Sequence, residues 1–596
     1  TDPCDVAEAI ARALSERCQG AAARQSTRGE ARRQPGPVDF ATDEHMAYNE
    51  PFTMTELNHA ICSLRSVAEG PDAIHNSMLK HLPAVALEAL LATFNSLWES
   101  GTFPTAWQEA TVIPIRKPGK SGLDPLHYRP ISLTSALCKL MEKMVNARLS
   151  WFLEHNNIFT DAQCGFRKHR STVDHILVLD TEVRTAFIQR KHLGAIFFDI
   201  EAAYDTVVRH VVLRKLLSYG IRGCMGFFIQ NFLSDRTFRV RVGNNLSSPH
   251  CQENGIPQGG VLSVALFAVM INDIVDNLPP ALGRSLFVDD LAIWYSASSA
   301  SHMSRQLQLA VTRLEKWSRE NGLKFSTSKT TAVHFCRRRC SDPDLRIRLY
   351  GRPIPTREAA RFLGVLFDRR LTYKEHFKTL RDRCFKSLDV LKCVSRMSYG
   401  ADRRTLLLLY RNLVRSKLDY ASFVYDCASE SSKKSLDTVH HSALRIATGA
   451  FRTSPTSSIL VDADEPPLCL RRQMLGMRYT LKLRQFPSHP AYKYVFSESI
   501  LSLFGGRVHR SSPFCLRMSD LFQSATMSWR GVARMEISPV PPWHFAYPRT
   551  DMSLADGRKA DALPYELCSR AAQLISSFES THVYTDGSKS SDGVGC

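Results

Sequence analysis

The stretch Leu286-Phe-Val-Asp-Asp-Leu-Ala-Ile-Trp294, LFVDDLAIW, sets two adjacent carboxylates, Asp289 and Asp290, inside an otherwise apolar, strand-forming segment. Neighbouring like charges in apolar surroundings repel each other and lose hydration. Two arrangements remove the conflict. The pair can lie at an exposed Asp-Asp hairpin turn, or it can face a cation, with a divalent metal as the sharpest case. These nine residues alone leave both open.

Working outward, Asp199 follows an apolar strand in LGAIFFDIEAAYD (193–205) and precedes a helical start, so it reads either as a helix N-cap or as a placed carboxylate. NGIPQGGVLS (254–263) is a glycine-rich turn entering an apolar helix, GGVLSVALFAVMINDIV. Upstream, TVIPI, RKPGKSG and HYRPISL read as strand, basic turn and strand, with Arg116, Lys117 and Lys120 at the tip. A helix follows from Ala136 to Phe152, and LFVDDLAIW itself reads as a strand hairpin. Mixed strands and helices without a repeating spacing predict an α+β domain.

The first forty residues are rich in Ala, Arg, Gly and Gln and lead to Pro35-Gly36-Pro37, which predicts an Ala/Arg helix followed by a flexible linker. Thr53 and Glu56 have capping-box spacing before an apolar run, and helical periodicity continues from Leu79 to Trp98. Beyond about residue 370 the sequence is mostly helical, as in LTYKEHFKTLRDRCFKSLDVLKCV. From roughly 486 to 570 it loosens into Pro, Ser and Arg, a linker with isolated packed pieces.

At 596 residues, 44% hydrophobic and 23% charged, the chain is long enough for several domains with real cores. An excess of 77 Lys and Arg over 58 Asp and Glu favours a polyanionic partner, although a basic membrane-binding surface would share that bias. Sixteen cysteines without a pairing rhythm argue for reduced thiols in an intracellular compartment, and against a disulfide framework. The tightest cluster, Cys336-Arg-Arg-Arg-Cys340, has no second Cys or His pair at zinc spacing in the nearby sequence and reads as buried or incidental thiols. The longest apolar run, Val264 to Ile271, is too short for the ~20 residues that span a bilayer, so a soluble chain without a membrane partner is expected.

Taken in order, a strand-ending Asp, a PQGG turn and an apolar-flanked Asp-Asp resemble palm-type polymerases, and more closely the reverse transcriptases of non-LTR retrotransposons. FFDIEAAYD is similar to motif A of that family, NGIPQGGVLS to motif B and FVDD to motif C. VIPIRKPGK and YRPISL resemble its fingers motifs, and QCGFRKHRST the block that follows them. GLKFSTSKT resembles motif D, and RFLGVLFD the primer-grip motif. The resemblance spans roughly residues 50 to 480 and implies a right-hand fold of fingers, palm and thumb.

It further implies that Asp199, Asp289 and Asp290 are catalytic and hold two Mg²⁺ ions, with Mn²⁺ as a substitute, for in-line attack by a primer 3′-hydroxyl. Arg129 with Lys117 or Lys120 would grip the incoming triphosphate. Tyr204 would stand at the steric gate against a ribose 2′-hydroxyl. Gln258 and Gly259 would lie against the nascent base pair, Lys329 would donate a proton to pyrophosphate, and Phe362, Leu363 and Gly364 would support the primer end. The implied partners are an RNA template, a DNA primer or target and deoxynucleoside triphosphates. Departures from the family pattern are Val288 where many relatives carry Ala, Val264 where Pro is usual, and Gly260 for a common Ser.

The last residues, HVYTDGSKSSDGVGC, resemble the first strand of ribonuclease H, with Asp586 as one of that domain's metal ligands. With its partner carboxylates missing, no ribonuclease activity is expected, and the Thr start adds to the expectation of a fragment of a longer polyprotein. The expected organisation is a flexible basic arm (1–40), a helical extension (41–105), fingers and palm (106–370), a helical thumb or connection (371–485), a linker region (486–575) and a truncated ribonuclease H start (576–596). Either nucleus or cytoplasm fits the expected intracellular location.

Overall fold

The computed structural model describes residues 2–26, 38–119, 122, 124–337, 344–396, 398–504, 512–535, 538–545, 569, 573, 588–590 and 593–595. The chain divides into two units, Thr1–Pro541 and Pro542–Cys596. In the larger unit the strands in chain order are β1 (Glu109–Arg116), β2 (Tyr128–Leu133), β3 (His192–Phe198), β4 (Thr237–Val242), β5 (Asn245–Leu246), β6 (His250–Cys251), β7 (Gly283–Phe287), β8 (Asp290–Ala297), β9 (Thr331–Phe335), β10 (Arg348–Leu349), β11 (Arg352–Pro353), β12 (Ala359–Phe362) and β13 (Val365–Asp368).

Two sheets position the chemistry. In the first, β1 and β2 form an antiparallel hairpin running from Thr111↔Leu133 to Arg116↔Tyr128, and β4 lies parallel to β1 on its other side. The second is antiparallel throughout, in the order β7-β8-β3-β9. Its strand β3 is buried at every position after His192, which explains why HLGAIFF reads as a continuous apolar run: both of its faces are covered. Helix Ala300–Asn321 lies on one side, where a Cβ at Gly194 would come within 2.7 Å of Leu307 Cδ1. Helix Thr172–Ile188 covers the opposite side through Ile176, Leu179 and Val183, which pack with Ala195 and Phe197. Helix Leu262–Ile271 is apolar all round and buried, as its sequence requires.

Several local expectations hold. Thr53 caps helix Met54–Cys62 in a full capping box with Glu56. The helix expected at 136–152 runs as Ala136–His155. The 79–98 periodicity resolves into Asn76–Lys80 and Ala84–Ser100, because Pro83 at the N-cap of the second starts a new helix.

Two expectations are corrected. The start of the chain is not a flexible arm: helix Pro3–Ser26 buries Ala7, Ile10, Ala11 and Leu14 against Ala110, Val112, Phe238 and Val240 of the first sheet. Spacings of three and four put those residues on one helix face, a stripe masked by the Ala and Arg bias of the segment. The rest of that arm, 27–37, lies outside the described residues. Nor is the region after 486 merely a linker. Val495 and, on helix Phe514–Ser524, Phe514, Met518 and Phe522 join the apolar core that also holds Leu388, Tyr410, Leu444 and Leu483 of the preceding helices. Low periodicity concealed this because short helices separated by Pro and Ser present only a few anchors each.

In the smaller unit, the described residues form a 3-10 turn at Pro542–His544 and an antiparallel pair, β14 (Ser588–Ser590) with β15 (Gly593–Gly595). Asp586 lies outside the described residues.

Candidate active site

Strand register brings the three carboxylates together. The last pair between β3 and β8 is Phe198↔Leu291, so Asp199, next along, stands level with Asp290 on the neighbouring strand. Asp289 occupies the two-residue turn closed by Phe287↔Asp290. The hairpin reading of LFVDDLAIW therefore holds, and its turn brings two carboxylates beside a third. The first turn residue, Val288, has φ +59, the sign that a type II′ hairpin demands and an unfavourable one for a β-branched side chain.

That turn is held from outside by QCGF. The Gln163 side-chain oxygen accepts hydrogen bonds from the Gly165 N–H at 2.8 Å and the Val288 N–H at 3.3 Å. Backbone bonds Cys164 N–H to Leu286 O (3.0 Å) and Leu286 N–H to Ala162 O (2.9 Å) fasten the block to β7. Gly165 is obligatory by space, because a Cβ there would sit 2.6 Å from Val288 Cγ2 and 2.7 Å from Val288 N. Sequence reading located the block and gave it no task. Its task is to fix the Asp-Asp turn, which nothing in its local sequence signals, because its partners lie more than a hundred residues away.

The electrostatics are those of a site short of positive charge. Burial, then the charges of Asp289 and Asp199, push Asp290 up to about 6. Burial and the Asp199 charge likewise raise Asp289, against the pull of Arg129 and Lys329. Lys329 Nζ lies 3.0 Å from Asp199 Oδ2. Asp199 is fixed from behind by its backbone oxygen, which accepts from Ser326 N–H at 2.7 Å. One ammonium facing three carboxylates leaves a net negative cluster of hard oxygen donors, open to solvent at Asp289 and Asp290. That set fits hard divalent cations such as Mg²⁺, which compensate the repulsion that raises both groups.

Around this cluster stand the residues expected to handle a nucleotide. Tyr204 stacks on Phe267 at 4.6 Å, and burial together with the Asp289 charge pushes its phenol up to about 12. Its backbone oxygen accepts from Ile256 N–H at 2.9 Å, tying motif A to the PQGG turn. Gln258 Nε2 donates to Asp205 Oδ1 at 2.9 Å, and its backbone oxygen accepts from Ser132 N–H at 2.7 Å. Gly259, with φ +133, allows the turn to touch β2: a Cβ would lie 2.5 Å from Ser132 O. Arg129 is exposed on β2. Lys117 at the end of the β1 strand donates to Leu126 O at 2.9 Å, and burial with the charges of Arg17 and Lys329 lowers it. Lys120 lies outside the described residues.

Asp205 and Arg17 are additional polar residues at this site that sequence reading did not single out. Arg17, from the first helix, ion-pairs with the nearly buried Asp205 at 2.8 Å and so backs Gln258 from behind. The grip motif forms the β12-β13 hairpin, with Leu363 (φ +44) and Gly364 (φ +88) at its tip. Tyr420 hydroxyl donates to Leu363 O at 2.6 Å, holding the tip, and burial together with the Asp290 charge raises its phenol. Phe362 does not reach out. It is buried against Phe197, 5.3 Å between rings, and serves the core.

Similarity to known proteins covers the segment that carries these residues. Residues 115–367 match the family described as Reverse transcriptase (RNA-dependent DNA polymerase). The chain is 30% identical over 412 residues to the probable RNA-directed DNA polymerase from transposon BS of Drosophila melanogaster, covering 67% of this chain and 45% of that protein. It is 28% identical over 407 residues to the probable polymerase from transposon X-element of the same species, covering 67% and 44%. Similarity to the RNA-directed DNA polymerase from mobile element jockey, again of Drosophila melanogaster, is 28% over 454 residues, covering 74% and 49%. The chain thus spans about half the length of the curated relatives it matches. Among solved structures, apo telomerase from Candida tropicalis truncated from its C-terminal domain aligns at a TM-score of 0.33 and 11% identity, over 50% of this chain and 61% of that one. Residues 115–367, the segment similar to the reverse transcriptase family, contain Asp199, Asp289 and Asp290.

Proposed function

We propose that this chain is the RNA-directed DNA polymerase of a non-LTR retrotransposon, extending a DNA primer on an RNA template with deoxynucleoside triphosphates. The observation that carries the reading is the level placement of Asp199 and Asp290 with Asp289 at the adjoining turn, within the matched segment. Bound to these carboxylates, a pair of Mg²⁺ ions supplies Lewis-acid activation of the primer 3′-hydroxyl and charge neutralisation at the leaving pyrophosphate.

The chain's own residues do the rest. Asp199 and Asp289 anchor the reacting oxygens' counter-charge, and Asp290 completes the donor set from the start of β8. Arg129 and Lys117 receive the triphosphate, the guanidinium as a fork and the ammonium as a point charge. Tyr204, kept uncharged by burial and by the Asp289 charge, offers a flat ring that excludes a 2′-hydroxyl. Gln258 and Gly259 bring backbone close to the new base pair. Lys329, ion-paired with Asp199, would protonate pyrophosphate as it leaves. Leu363 and Gly364 steady the primer end. The basic excess of the chain, +19, serves backbone binding to both strands.

The test is extension of a DNA primer on an RNA template by the purified chain with Mg²⁺, offering deoxynucleotides or ribonucleotides. Deoxynucleotide extension is expected, with Tyr204→Ala admitting ribonucleotides. Preferential ribonucleotide incorporation by the unaltered chain, or no extension by folded protein that binds the RNA, contradicts the reading.

A further inference from the structure

The strands that carry Asp199 and lead away from Lys329 bring a second cluster together at their far end. In the antiparallel pairing of β3 with β9, Leu193 lies opposite Phe335 and Gly194 opposite His334. Continued by one residue, that register sets His192 level with Cys336, with His334 diagonally beside them. The potential donor atoms of His192, His334 and Cys336 all lie within 4.8 Å of one another. The two imidazoles approach most closely, Nδ1 of His192 to Nε2 of His334 at 3.1 Å, with ring centroids 5.2 Å apart. His334 and Cys336 are buried, and His192 is half-buried at the opening.

We propose that His192, His334 and Cys336 form a zinc site that staples β3 to β9. A tetrahedral ion with metal–nitrogen bonds of ~2.0–2.1 Å holds its nitrogen ligands roughly 3.3 Å apart and a sulfur slightly further. The 3.1 Å between the two imidazole nitrogens meets that with a shift of a few tenths of an ångström, and the sulfur, within 4.8 Å of both, closes on the ion by a rotation of the Cys336 side chain. Two imidazoles and a thiolate are a borderline-soft set, suited to Zn²⁺ and poorly suited to the Mg²⁺ that fits the all-oxygen cluster. Cys336 must bind as the thiolate, and the cavity at its side supplies the field for that: Arg190, Lys191 and Arg337 line it with Phe187. Three protein donors leave one tetrahedral position for solvent from this cavity.

The site lies at the start of β3, and Asp199 follows that strand's end. Seven residue steps at ~3.3 Å each separate His192 from Asp199, a distance that rules out direct participation in chemistry. The ion's effect is mechanical. It fixes the β3-β9 register, and with it the relative placing of Asp199 and the Lys329 that precedes β9.

The test uses the whole chain, stripped with chelator and titrated with Co²⁺ as a spectroscopic stand-in. One equivalent is expected to give thiolate-to-cobalt charge-transfer absorption and intense tetrahedral visible bands, both displaced by Zn²⁺. Cys336→Ser is expected to abolish the charge-transfer band. His192→Gln, at the half-buried position where folding is least at risk, is expected to weaken zinc binding at least tenfold and to remove the rise in Tm that zinc gives the unaltered chain. No charge-transfer band from the folded unaltered chain overturns the proposal. So does a band and a zinc affinity that both survive Cys336→Ser and His192→Gln in folded protein.

Discussion

The two ends of the β3-β9 pair carry clusters of opposite chemistry. At one end Asp199 meets Asp289, Asp290 and Lys329; at the other His192 meets His334 and Cys336. The first is hard, anionic and open to solvent, with Asp289 raised by burial and the Asp199 charge, and Asp290 by burial and the charges of Asp289 and Asp199. The second is softer, mostly buried and rimmed by cations. One pair of strands can hold both because the clusters lie at opposite ends of β3, seven residue steps apart. The difference teaches that the reactive end is deliberately strained, by repulsion and by the positive φ at Val288, while the far end and the QCGF block resist that strain.

The contrast can be broken most forcefully by exchanging charge at one end and donor at the other. Asp199→Asn is expected to lower the rate of DNA synthesis at least a hundredfold in folded protein, read by single-nucleotide incorporation. Cys336→Ser is expected to act on stability, lowering the Tm of zinc-treated protein to that of the stripped chain. If both variants lost synthesis equally while folded, the ends would not have separate tasks.

A smaller effect tests the support of the turn. Gln163→Ala removes the acceptor shared by Gly165 and Val288, and a lost buried hydrogen bond of ~1–2 kcal/mol corresponds to roughly a five- to thirtyfold fall in kcat. Steady-state kinetics should show that fall with KM for deoxynucleotide nearly unchanged. A large rise in KM alone would move Gln163 from turn support to substrate binding.

The smallest effect concerns pH. Asp290 is raised above its ordinary value to about 6, so the stability linked to its neutral form is full below the unfolded carboxylate value and is lost as pH rises through about 6. Metal-free Asp290→Asn should therefore melt above the unaltered chain at pH 7, by a few degrees at most because the group is partly solvated, and the gap should close toward pH 4. Thermal unfolding across that range, with and without Mg²⁺, reads the effect. A variant that melts lower at pH 7 without metal would contradict the repulsion.

The reactive end was largely legible in the sequence because its carboxylates interrupt apolar strands, an anomaly that local reading detects. Asp199 and LFVDDLAIW each carried it in a few residues. The far end was not, since His192 and the Cys336 region lie in separate segments and only strand register brings them together. Arg17 and Asp205 escaped for the same reason: the first helix reads as an Ala/Arg arm until its apolar face is seen against β1 and β4. Phe362, expected with Leu363 and Gly364 to support the primer end, packs its ring against Phe197, a contact that only the fold reveals.

The proposed role of Asp289, at a hairpin turn, is as a ligand in the metal-binding centre of a DNA-synthesising site. The most direct measurement is Mg²⁺-dependent extension of a DNA primer on an RNA template by the chain and by its Asp289→Asn variant, with RNA binding and folding checked for both. Extension by the first, and none by a folded variant that still binds the RNA, is the predicted result. Equal extension by both would contradict the assignment of that carboxylate and the site built upon it.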